Sequence, residues 1–561
     1  MGAVTRVRRG PHGRITALTD PLGNTTRQGW TIEGKPAWRE HPDGAREEWK
    51  WDCEGNLVTH TDPAGHTTAY SHTHFDMPVA RTGPDGARYA FAYDTELRLT
   101  TVTNPQGLEW RYTYDAAGRL VEESDFNGAT RTYTLDAAGR LTARTNALGQ
   151  TLRYELDAAG RVVHQHDEAT GEETTYTYDP DGALLRAANA SSELTLTRDA
   201  LGRVVSETVN GRTTRYAYDA AGNRTHRTTP SGLTSAWTYD ATGRAATLTT
   251  GGHTLAFTHD AAGRETQRAT GGVTLDQDWD ATGRLTTQAL TTSPGDTLLQ
   301  HRAYTYRPDG YVTEIRELTT GTRHFALDKT GRVTGVQAHG WSETYAYDSA
   351  GNQTHAEAPA HPAPGAREHT GTLIHRAGRT TYTHDAAGRL VRKTRKLLNG
   401  QTRTWTYTWN TQDRLTTATT PLGEEWAYTY DPLGRRLTKT GPDGASLTFT
   451  WDATRLAEQT TRDGATTTWD HTPGTHTPLT QTHQELGTTH VHTVITDLTG
   501  TPTELVDERG TIAWRTRTTL WGTTTWNTDA TTYTPLRFPG QYHDPNALPT
   551  GEGRRTVEAW T

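Results

Sequence analysis

The chain has 561 residues, of which 32% are hydrophobic. Its mean hydropathy of -0.79 is low for a protein of this length that buries one large core. The 17 Trp and 23 Tyr residues exclude a disordered composition, and the net charge of -8 is spread without a basic stripe, so we do not expect nucleic acid as the main ligand. We find no signal peptide and no apolar run near the ~18 residues of a membrane span. With Cys53 as the single cysteine, an internal disulfide is excluded.

A unit of about twenty residues recurs from the first residues of the chain onward. Its clearest copy is Tyr112 to Leu120, which reads Tyr-Thr-Tyr-Asp-Ala-Ala-Gly-Arg-Leu. Indexed by the Asp position, called the slot here, the unit occurs 21 times, and 16 of the slots hold Asp. Gly follows three residues later in 17 of the 21 copies. Such self-similarity predicts one long repetitive body rather than several domains.

The chemistry of this unit predicts a hairpin turn. The Asp115 side chain is suited to accept backbone N–H groups two residues on, and Gly118 supplies the left-handed residue that returns the chain. A glycine bulge is expected at this turn, with Tyr114 opposite Leu120. Because side chains alternate along a strand, Tyr112 lies on the same face as Tyr114.

A second turn closes each unit. Asp20-Pro-Leu-Gly23 and Asp62-Pro-Ala-Gly65 are typical turns of this kind, and units that contain them run 21 residues. Units with a tighter turn such as Asn210-Gly211 run 20 residues. Two strands per unit give roughly forty strands in all. We therefore predict an all-β protein, a long antiparallel sheet of about twenty repeated hairpin units wound into a hollow spiral shell, with little helix.

Two parts of the chain depart from the period. Residues 356–371, rich in Pro, Ala and His, are predicted to form a loop at the surface or inside a cavity. After Asp452 the period fades, and the segment from Asp497 to Pro545 has its own character and is not another copy of the unit. It contains a Gly-Thr-Pro element at Gly500 and a Leu-Arg-Phe-Pro-Gly-Gln-Tyr-His-Asp element that ends at Asp544.

On these motifs the chain resembles the RHS or YD-repeat family of Rhs polymorphic toxins, Tc toxin B and C components and teneurins. The repeat resemblance covers about residues 5 to 460, and the segment around Asp497 resembles the RHS core-associated region. The resemblance implies a shell that encloses a toxic polypeptide until delivery. It divides the chain into a repeat shell (1–460), a core-associated segment (461–545) and a divergent tail (546–561).

The family pattern is expected to continue beyond Asp544 with an Asp-Pro-x-Gly-Leu motif at which an aspartate-dependent self-cleavage releases the toxin. That motif is absent from this sequence. We therefore expect a truncated, frameshifted or partial gene product, and a structural shell rather than an enzyme. The expected partner is an encapsulated toxin polypeptide or a secretion machinery. The expected localisation is cytoplasmic before non-classical delivery outside the cell.

We assign the motif residues structural roles and predict no catalytic residue, no cofactor and no metal site. Slot aspartates are expected to cap turns, and the aromatic residues to pack across strands. The repeat-motif residues are Tyr112, Tyr114, Asp115, Gly118, Arg119, Tyr218, Asp219, Gly222, Tyr239, Asp240, Gly243, Tyr430, Asp431 and Gly434. The core-associated residues are Asp497, Gly500, Pro502, Asp507, Gly510, Trp514, Gly540, Gln541, Tyr542 and Asp544.

Three alternatives remain open at this point. His72 with His74, and His490 with His492, have a spacing on one strand face that can bind zinc, with His471, His476 and His483 nearby in sequence. Aromatic rows could bind carbohydrate or a partner cell, which would make the chain a surface-binding module. A downstream reading frame that carries the cleavage motif would make it an aspartyl self-cleaving toxin.

Overall fold

The computed structural model describes residues 3–293 and 295–544, which form a single sheet of 50 strands. Each strand pairs antiparallel with the next one along the chain, from β1 with β2 to β49 with β50. The described residues contain no α-helix, only two 3-10 turns at Pro11–Gly13 and Pro442–Gly444. Within this described part, no helix has the length and apolar character needed to span a membrane. The predicted all-β spiral of hairpins is confirmed.

The strands are short, and their bounds follow in chain order. The first seventeen are β1 Arg6–Arg9, β2 Ile15–Thr19, β3 Thr25–Trp30, β4 Pro36–Glu40, β5 Arg46–Trp51, β6 Leu57–Thr61, β7 Thr67–His72, β8 Pro78–Thr82, β9 Arg88–Tyr93, β10 Leu99–Thr103, β11 Glu109–Tyr114, β12 Leu120–Ser124, β13 Thr130–Leu135, β14 Leu141–Thr145, β15 Thr151–Leu156, β16 Val162–Asp167 and β17 Glu173–Tyr178. The next seventeen are β18 Leu184–Ala188, β19 Glu193–Arg198, β20 Val204–Val209, β21 Arg212–Tyr218, β22 Arg224–Thr228, β23 Thr234–Tyr239, β24 Ala245–Thr250, β25 His253–His259, β26 Glu265–Ala269, β27 Val273–Trp279, β28 Leu285–Thr292, β29 Leu298–Tyr306, β30 Val312–Glu317, β31 Gly321–Leu327, β32 Val333–Ala338, β33 Trp341–Tyr347 and β34 Gln353–Glu357. The last sixteen are β35 Gly365–Thr370, β36 Leu373–Ala377, β37 Thr380–His384, β38 Leu390–Lys396, β39 Thr402–Trp409, β40 Leu415–Thr419, β41 Glu425–Tyr430, β42 Arg436–Thr440, β43 Ser446–Asp452, β44 Arg455–Thr461, β45 Thr466–His471, β46 Pro478–Glu485, β47 Thr488–Thr496, β48 Pro502–Val506, β49 Ile512–Thr518 and β50 Thr524–Trp526.

Two kinds of turn alternate along this ribbon of strands. Turns that carry the slot residue, such as Asp115 to Gly118, join an odd-numbered strand to the following even-numbered one, and we call them slot turns. Turns such as Asp62 to Gly65 join an even-numbered strand to the next odd-numbered one, and we call them return turns. Because successive strands are antiparallel, all slot turns lie along one edge of the ribbon and all return turns lie along the other.

The ribbon winds on itself with a period of 23 strands. The β4–β5 return turn contacts the β27–β28 slot turn, although the contacting residues are more than 240 positions apart in the sequence. Contacts between turns 23 strands apart recur along the chain. The pairs that show it are Asp43 with Arg284, His66 with Asp309, Asp85 with Arg332, Gln106 with Asp348, Asn127 with Thr372 and Asp167 with Thr411. Each pair joins a return turn of the first winding to a turn 23 strands later.

The value of 23 decides both the stacking and the width of the spiral. An odd number of strands brings a return turn of one winding against a slot turn of the next, so the two ribbon edges meet. Twenty-three strands at ~4.8 Å spacing give a circumference of about 110 Å and a diameter of about 35 Å between opposite walls. Two sheets packed face to face are only about 10 Å apart. Side chains alone therefore do not fill the winding, and the spiral is hollow.

The C-terminal strands leave this pattern and lie on the aromatic face of the wall. Leu479 packs against Trp237 and Phe257. Ile495 and Val506 pack against the residues of β27 and β28 in a second buried cluster. Glu504 of β48 contacts Arg302 of β29, only 19 strands earlier. A path that returns after fewer strands has a smaller circumference, so this layer lies inside the wall and the aromatic face points inward.

The structure corrects three predictions. Residues 356–371 are a loop only in part: residues 358–364 connect β34 to β35, whereas β35 with β36 forms a further hairpin of the wall. Its tip, Gly371 and Thr372, contacts Asn127 of the first winding. The strand number is 50 rather than roughly forty, because the segment after Asp452 continues the sheet.

The third correction concerns the segment from residue 497, which repeats the turn geometry of the unit although its sequence differs. Gly500 N–H donates to the Asp497 carbonyl (3.0 Å), and Gly510 N–H donates to the Asp507 carbonyl (3.1 Å). The predicted domain boundary at 460 falls within β44, where the ladder continues into β45, and it remains a prediction. Pro545 and the predicted tail at 546–561 lie outside the described residues.

Gly272 allows the inner layer to approach the wall, which gives a first prediction. A Cβ at Gly272 would lie 2.5 Å from the Glu508 carbonyl oxygen, whereas a Cβ at Gly271 would have no neighbour within 4 Å. We expect Gly272→Ala to destabilise the protein by about 1–3 kcal/mol, because backbone must move to admit the methyl group. Thermal unfolding followed by circular dichroism measures the effect. An equal loss in Gly271→Ala would show that the close approach is not the cause.

Candidate functional site: the repeat turns and the seam between windings

The slot turn from Asp115 has the predicted geometry. Asp115 Oδ1 accepts the N–H groups of Ala117 (2.9 Å) and Arg119 (2.9 Å). Gly118 has a φ of 79°, in the left-handed region that favours glycine, and its N–H donates to the Asp115 carbonyl (2.9 Å). The side-chain hydrogen bond from Arg119, together with its backbone N–H, lowers the pKa of Asp115. The slot carboxylate is thus ionised and fully engaged at neutral pH.

Arg119 joins its own turn to the following one. Its Nε donates to Asp115 Oδ2 (2.7 Å), and its Nη1 donates to the carbonyl of Asp136, the next slot (3.2 Å). A planar guanidinium has donors in fixed directions, which a lysine ammonium lacks. The same forward bond is made by Arg140, Arg161, Arg203, Arg244, Arg264 and Arg389. The Arg of the motif is therefore a link between neighbouring hairpins.

Tyr114 links its hairpin to the preceding one. Its Oη donates to the carbonyl of Leu99 (2.8 Å). The β10–β11 ladder begins only at Thr101, and the register of β9 with β10 shifts next to Leu99, so this carbonyl is outside the ladder. Thirteen aromatic residues at this position make the bond to the equivalent carbonyl: Trp30, Trp51, Tyr93, Tyr114, Tyr178, Tyr218, Tyr239, Trp279, Tyr306, Tyr347, Trp409, Tyr430 and Trp451.

The arginine of the previous slot turn also packs over the face of this aromatic ring. The Arg98 guanidinium lies 5.1 Å from the centre of the Tyr114 ring, and Arg203 lies 4.8 Å from that of Tyr218. A cation over an aromatic face contributes about 0.5–1 kcal/mol at exposed sites. Tyr, Asp and Arg of the motif therefore form one inter-hairpin contact that repeats along the wall.

The other predicted repeat residues occupy the same places with small variations. Asp219 accepts hydrogen bonds from the backbone N–H and the side-chain amide of Asn223, which stands where the Asp115 turn has an arginine. Asp240 and Asp431 accept backbone N–H groups as Asp115 does. Gly222, Gly243 and Gly434 have φ values of 92°, 80° and 89°. Tyr112 lies opposite Glu123 on the inward face, half-buried. The predicted structural roles of these residues are consistent with their positions.

The seam between windings uses the same arginines. Arg332 Nε donates to its own slot residue, Asp328 (2.6 Å), and Arg332 Nη2 donates to Asp85 of the first winding (2.9 Å). Arg284 makes the equivalent pair of contacts with Asp280 and Asp43. Burial opposes the charge of Arg332, but Asp328 and Asp85 outweigh it and raise the pKa of this guanidinium. Side chains join the windings here, in contrast to the backbone ladder within each winding.

Sequence reasoning missed the seam. Asp43 and Asp85 look like ordinary turn residues, and their partners lie 241 and 247 positions away. In the sequence, the seam is indicated only by an acidic residue in a return turn, and such a residue does not reveal which distant arginine it contacts.

The core-associated residues build the inner layer. Asp497 accepts the N–H groups of Thr499 and Thr501, and Asp507 accepts those of Arg509 and Thr511. Pro502 begins β48 opposite Thr496. The Trp514 side chain is fully buried with Val494 and Leu505. Gly510 meets Gly272 of the wall backbone to backbone, a close approach that its motif position did not predict.

The segment from Leu536 to Asp544 crosses the inner face. Gly540 has a φ of 81°, and the Gln541 N–H donates to the Phe538 carbonyl (2.8 Å) to form a turn. Tyr542 Oη donates to Gln459 Oε1 (2.8 Å) and its ring packs edge-on against Phe449. Asp544 is buried and bonded to Arg436 (3.2 Å) and Lys439. This arrangement anchors the segment to the wall.

A buried ionic contact fixes the inner layer to the wall. Arg302 donates to Glu504 (2.6 Å) and to Glu317 (3.0 Å), and all three side chains are at most 8% exposed. Burial alone would raise the pKa of Glu504, but the Arg302 guanidinium outweighs burial and lowers this pKa. Removing one partner of such a pair typically costs about 3–5 kcal/mol, because a buried charge is left uncompensated.

The histidine pairs do not assemble as the zinc alternative requires. His72 ends β7, but His74 lies in the following turn rather than on the strand. His490 and His492 both lie on β47, and His490 is paired in register with His483. Across the described ranges, none of these histidines belongs to a group of three or more metal-ligating side chains with converging ligand atoms.

Comparison with known proteins gives matches to two family models. The RHS repeat model matches residues 51–88, 93–130, 136–172 and 198–234, and the teneurin YD-shell model matches residues 312–548. The chain belongs to the RHS/YD-repeat family. The matched segments of this RHS/YD chain contain most of the slot turns, most of the seam contacts and the core-associated segment. Comparison with curated proteins finds no match.

Solved Tc toxin structures share the RHS/YD fold of this chain. The crystal structure of TcdB2-TccC3-TEV aligns with a TM-score of 0.73 at 14% identity, and that of TcdB2-TccC3 with 0.67 at 14%, each covering 97% of this chain and 35% of the other. A mutant Tc holotoxin pore of Photorhabdus luminescens aligns with 0.64 at 14% identity, covering 97% and 31%. The chain thus spans about a third of the length of these structures, and at this identity the likeness shows the fold.

The link made by Tyr114 gives the second prediction. Tyr114→Phe leaves the Leu99 carbonyl without its donor, which costs about 1 kcal/mol and corresponds to roughly fivefold faster local opening. Hydrogen–deuterium exchange of peptides from β9 to β12 measures this change. Tyr112→Phe is the matched control, because the Tyr112 hydroxyl has no hydrogen-bond partner in the described part of the chain. Equal acceleration in both variants would contradict the linking role.

Proposed function

We propose that this chain is the wall of a container that holds a separate polypeptide, and that this polypeptide is the toxic component of a delivery system. The observation that carries the proposal is the winding of 23 strands, which leaves a lumen far wider than two packed layers of side chains. A stack of such windings suits enclosure. The likeness to Tc toxin structures, one of which is described as lacking a hypervariable C-terminal region, supports a toxin as the enclosed partner.

The inner face of the first winding suits a flexible chain as cargo. In the six hairpins from β5 to β16, one aromatic ring per hairpin lies three residues before the slot, and these rings are half-buried: Trp49, Tyr70, Phe91, Tyr112, Tyr133 and Tyr154. Aromatic rings offer large apolar faces with polar edges and so accept many side chains without selecting one shape. Because these rings point into the lumen, they favour an enclosed polypeptide over a glycan or partner cell at the outer surface.

The wall is proposed to act without catalysis. Slot carboxylates are held by turn N–H groups and by arginines, as at Asp115, and Asp544 is bonded to Arg436 and Lys439. Carboxylates engaged in this way are suited to structure rather than to proton transfer. Release of cargo is then a property of the complete toxin system. We propose that the protein is made in the cytoplasm and acts after delivery outside the cell.

Protease protection tests the container. A 100-residue disordered passenger with several trypsin sites is fused after Thr561, because the segment up to Asp544 lies on the inner face. We expect the passenger to resist trypsin for at least tenfold longer than the free passenger, since the wall excludes the protease. Intact mass spectrometry follows the digestion.

The matched control opens the seam. Asp43→Lys with Asp85→Lys places like charges against Arg284 and Arg332, and we expect the passenger to become sensitive while the strands remain folded. A passenger cleaved equally fast in the parent fusion and in free form would overturn the container function.

A further inference from the structure

One position of the seam differs from its neighbours. Three consecutive return turns of the first winding face three slot turns of the second. At the first and third positions an arginine crosses the seam to a carboxylate, Arg284 to Asp43 (2.9 Å) and Arg332 to Asp85 (2.9 Å). At the middle position, between the β6–β7 and β29–β30 turns, the residue equivalent to these arginines is Tyr311. The arginine that crosses the seam at both neighbouring positions is therefore absent here.

The middle position instead brings two carboxylates to one imidazole. The slot residue is Arg307, which binds its own Asp309 (Nη2 to Oδ2, 2.7 Å), so Asp309 takes the place facing the first winding. Asp62 and His66 lie there in the return turn. His66 Nδ1 is 3.2 Å from Asp62 Oδ2 and 3.9 Å from Asp309 Oδ2. A neutral imidazole with a single Nδ1 proton satisfies only one of these oxygens.

We infer that Asp62, His66 and Asp309 form a zinc-class metal site that joins the two windings. Their ligand atoms all lie within 4.8 Å of one another. Tetrahedral zinc with bonds of about 2.0–2.1 Å separates its ligand atoms by roughly 3.3–3.4 Å. The distance from His66 Nδ1 to Asp62 Oδ2 (3.2 Å) already fits, and the distance to Asp309 Oδ2 (3.9 Å) must shorten when the metal binds. An imidazole with two carboxylates suits zinc better than calcium or magnesium, which prefer all-oxygen sites.

The surroundings fit three protein ligands and one water. The side chain of Asp309 is 5% exposed, and those of His66 and Asp62 are 20% and 27% exposed, so an ion has a route from solvent. Arg307 Nη2 donates to Asp309 Oδ2 (2.7 Å), and its Nε hydrogen is shared between Asp309 Oδ1 (2.8 Å) and Oδ2 (3.0 Å). A metal at Oδ2 replaces the longer Nε contact, while the Nη2 bond and the Nε bond to Oδ1 remain and orient the ligand. Asp62 Oδ1 remains the turn cap through the N–H groups of Ala64 and His66. Zinc binding displaces the Nδ1 proton of His66 to solvent.

Calorimetric titration of Zn²⁺ into the chelator-treated full chain at pH 7 tests the site. We expect one zinc equivalent at micromolar affinity that His66→Gln and Asp309→Asn each remove. Zinc is also expected to raise the unfolding temperature of the parent chain but not of either variant, because the metal ties two windings together. The two variants change opposite sides of the seam, and circular dichroism confirms that each is folded.

His60→Gln is the matched control. His60 Nε2 lies 3.0 Å from a single carboxylate, Glu47, and is expected to contribute no part of the zinc equivalent. Retention of the full zinc equivalent in His66→Gln, or its loss only in His60→Gln, would overturn the assignment. An absence of any micromolar zinc binding to the parent chain would do the same.

Discussion

The winding depends on the contact that each hairpin makes with the next. Tyr114 bonds backward to the Leu99 carbonyl, and Arg119 bonds forward to the Asp136 carbonyl. Since this contact recurs along the ribbon, each hairpin is set at nearly the same angle to the last one. A constant angle per repeat accumulates into a constant curvature, as in other repeat proteins. The spiral is therefore a consequence of one local contact made many times.

The seam follows from that curvature. Twenty-three strands per turn is an odd number, so slot turns of the second winding meet return turns of the first. The slot arginine already lies at the ribbon edge, and at Arg332 its remaining donors reach Asp85. One side chain thus holds its own turn and closes the wall. Where the joining ion pairs are half-buried, as at Arg284 and Arg332, the windings are held less tightly than strands in a ladder, so parting the seam there costs less free energy than breaking the sheet. Further along, Arg227 and Asp470, also 23 strands apart, form a buried pair.

The turn and the hairpin could be predicted from the sequence because they rest on residues at most a few positions apart. Asp115, Gly118 and Tyr114 are placed by local geometry alone. The period of 23 strands could not be predicted, since a small change in the angle per hairpin alters it. His66 and Asp62 are four positions apart, but Asp309 joins them only through that period. The hairpin at Gly365–Ala377 was missed because it lacks the motif and follows directly on the Pro-rich residues 359–364, while its tip still fits the seam.

Disulfide trapping across the seam tests the winding most directly. In a Cys53→Ser background, Asn127→Cys is combined with Gly371→Cys, which lies 23 strands later and whose Cβ would be 3.5 Å from the Asn127 Cγ, or with Arg332→Cys, which belongs to a different seam position. We expect mild oxidation to close the first pair, seen as a faster-migrating band and a linked peptide in the mass spectrum, and to leave the second pair reduced. Equal closure of both pairs, or of neither, would contradict a wall wound every 23 strands.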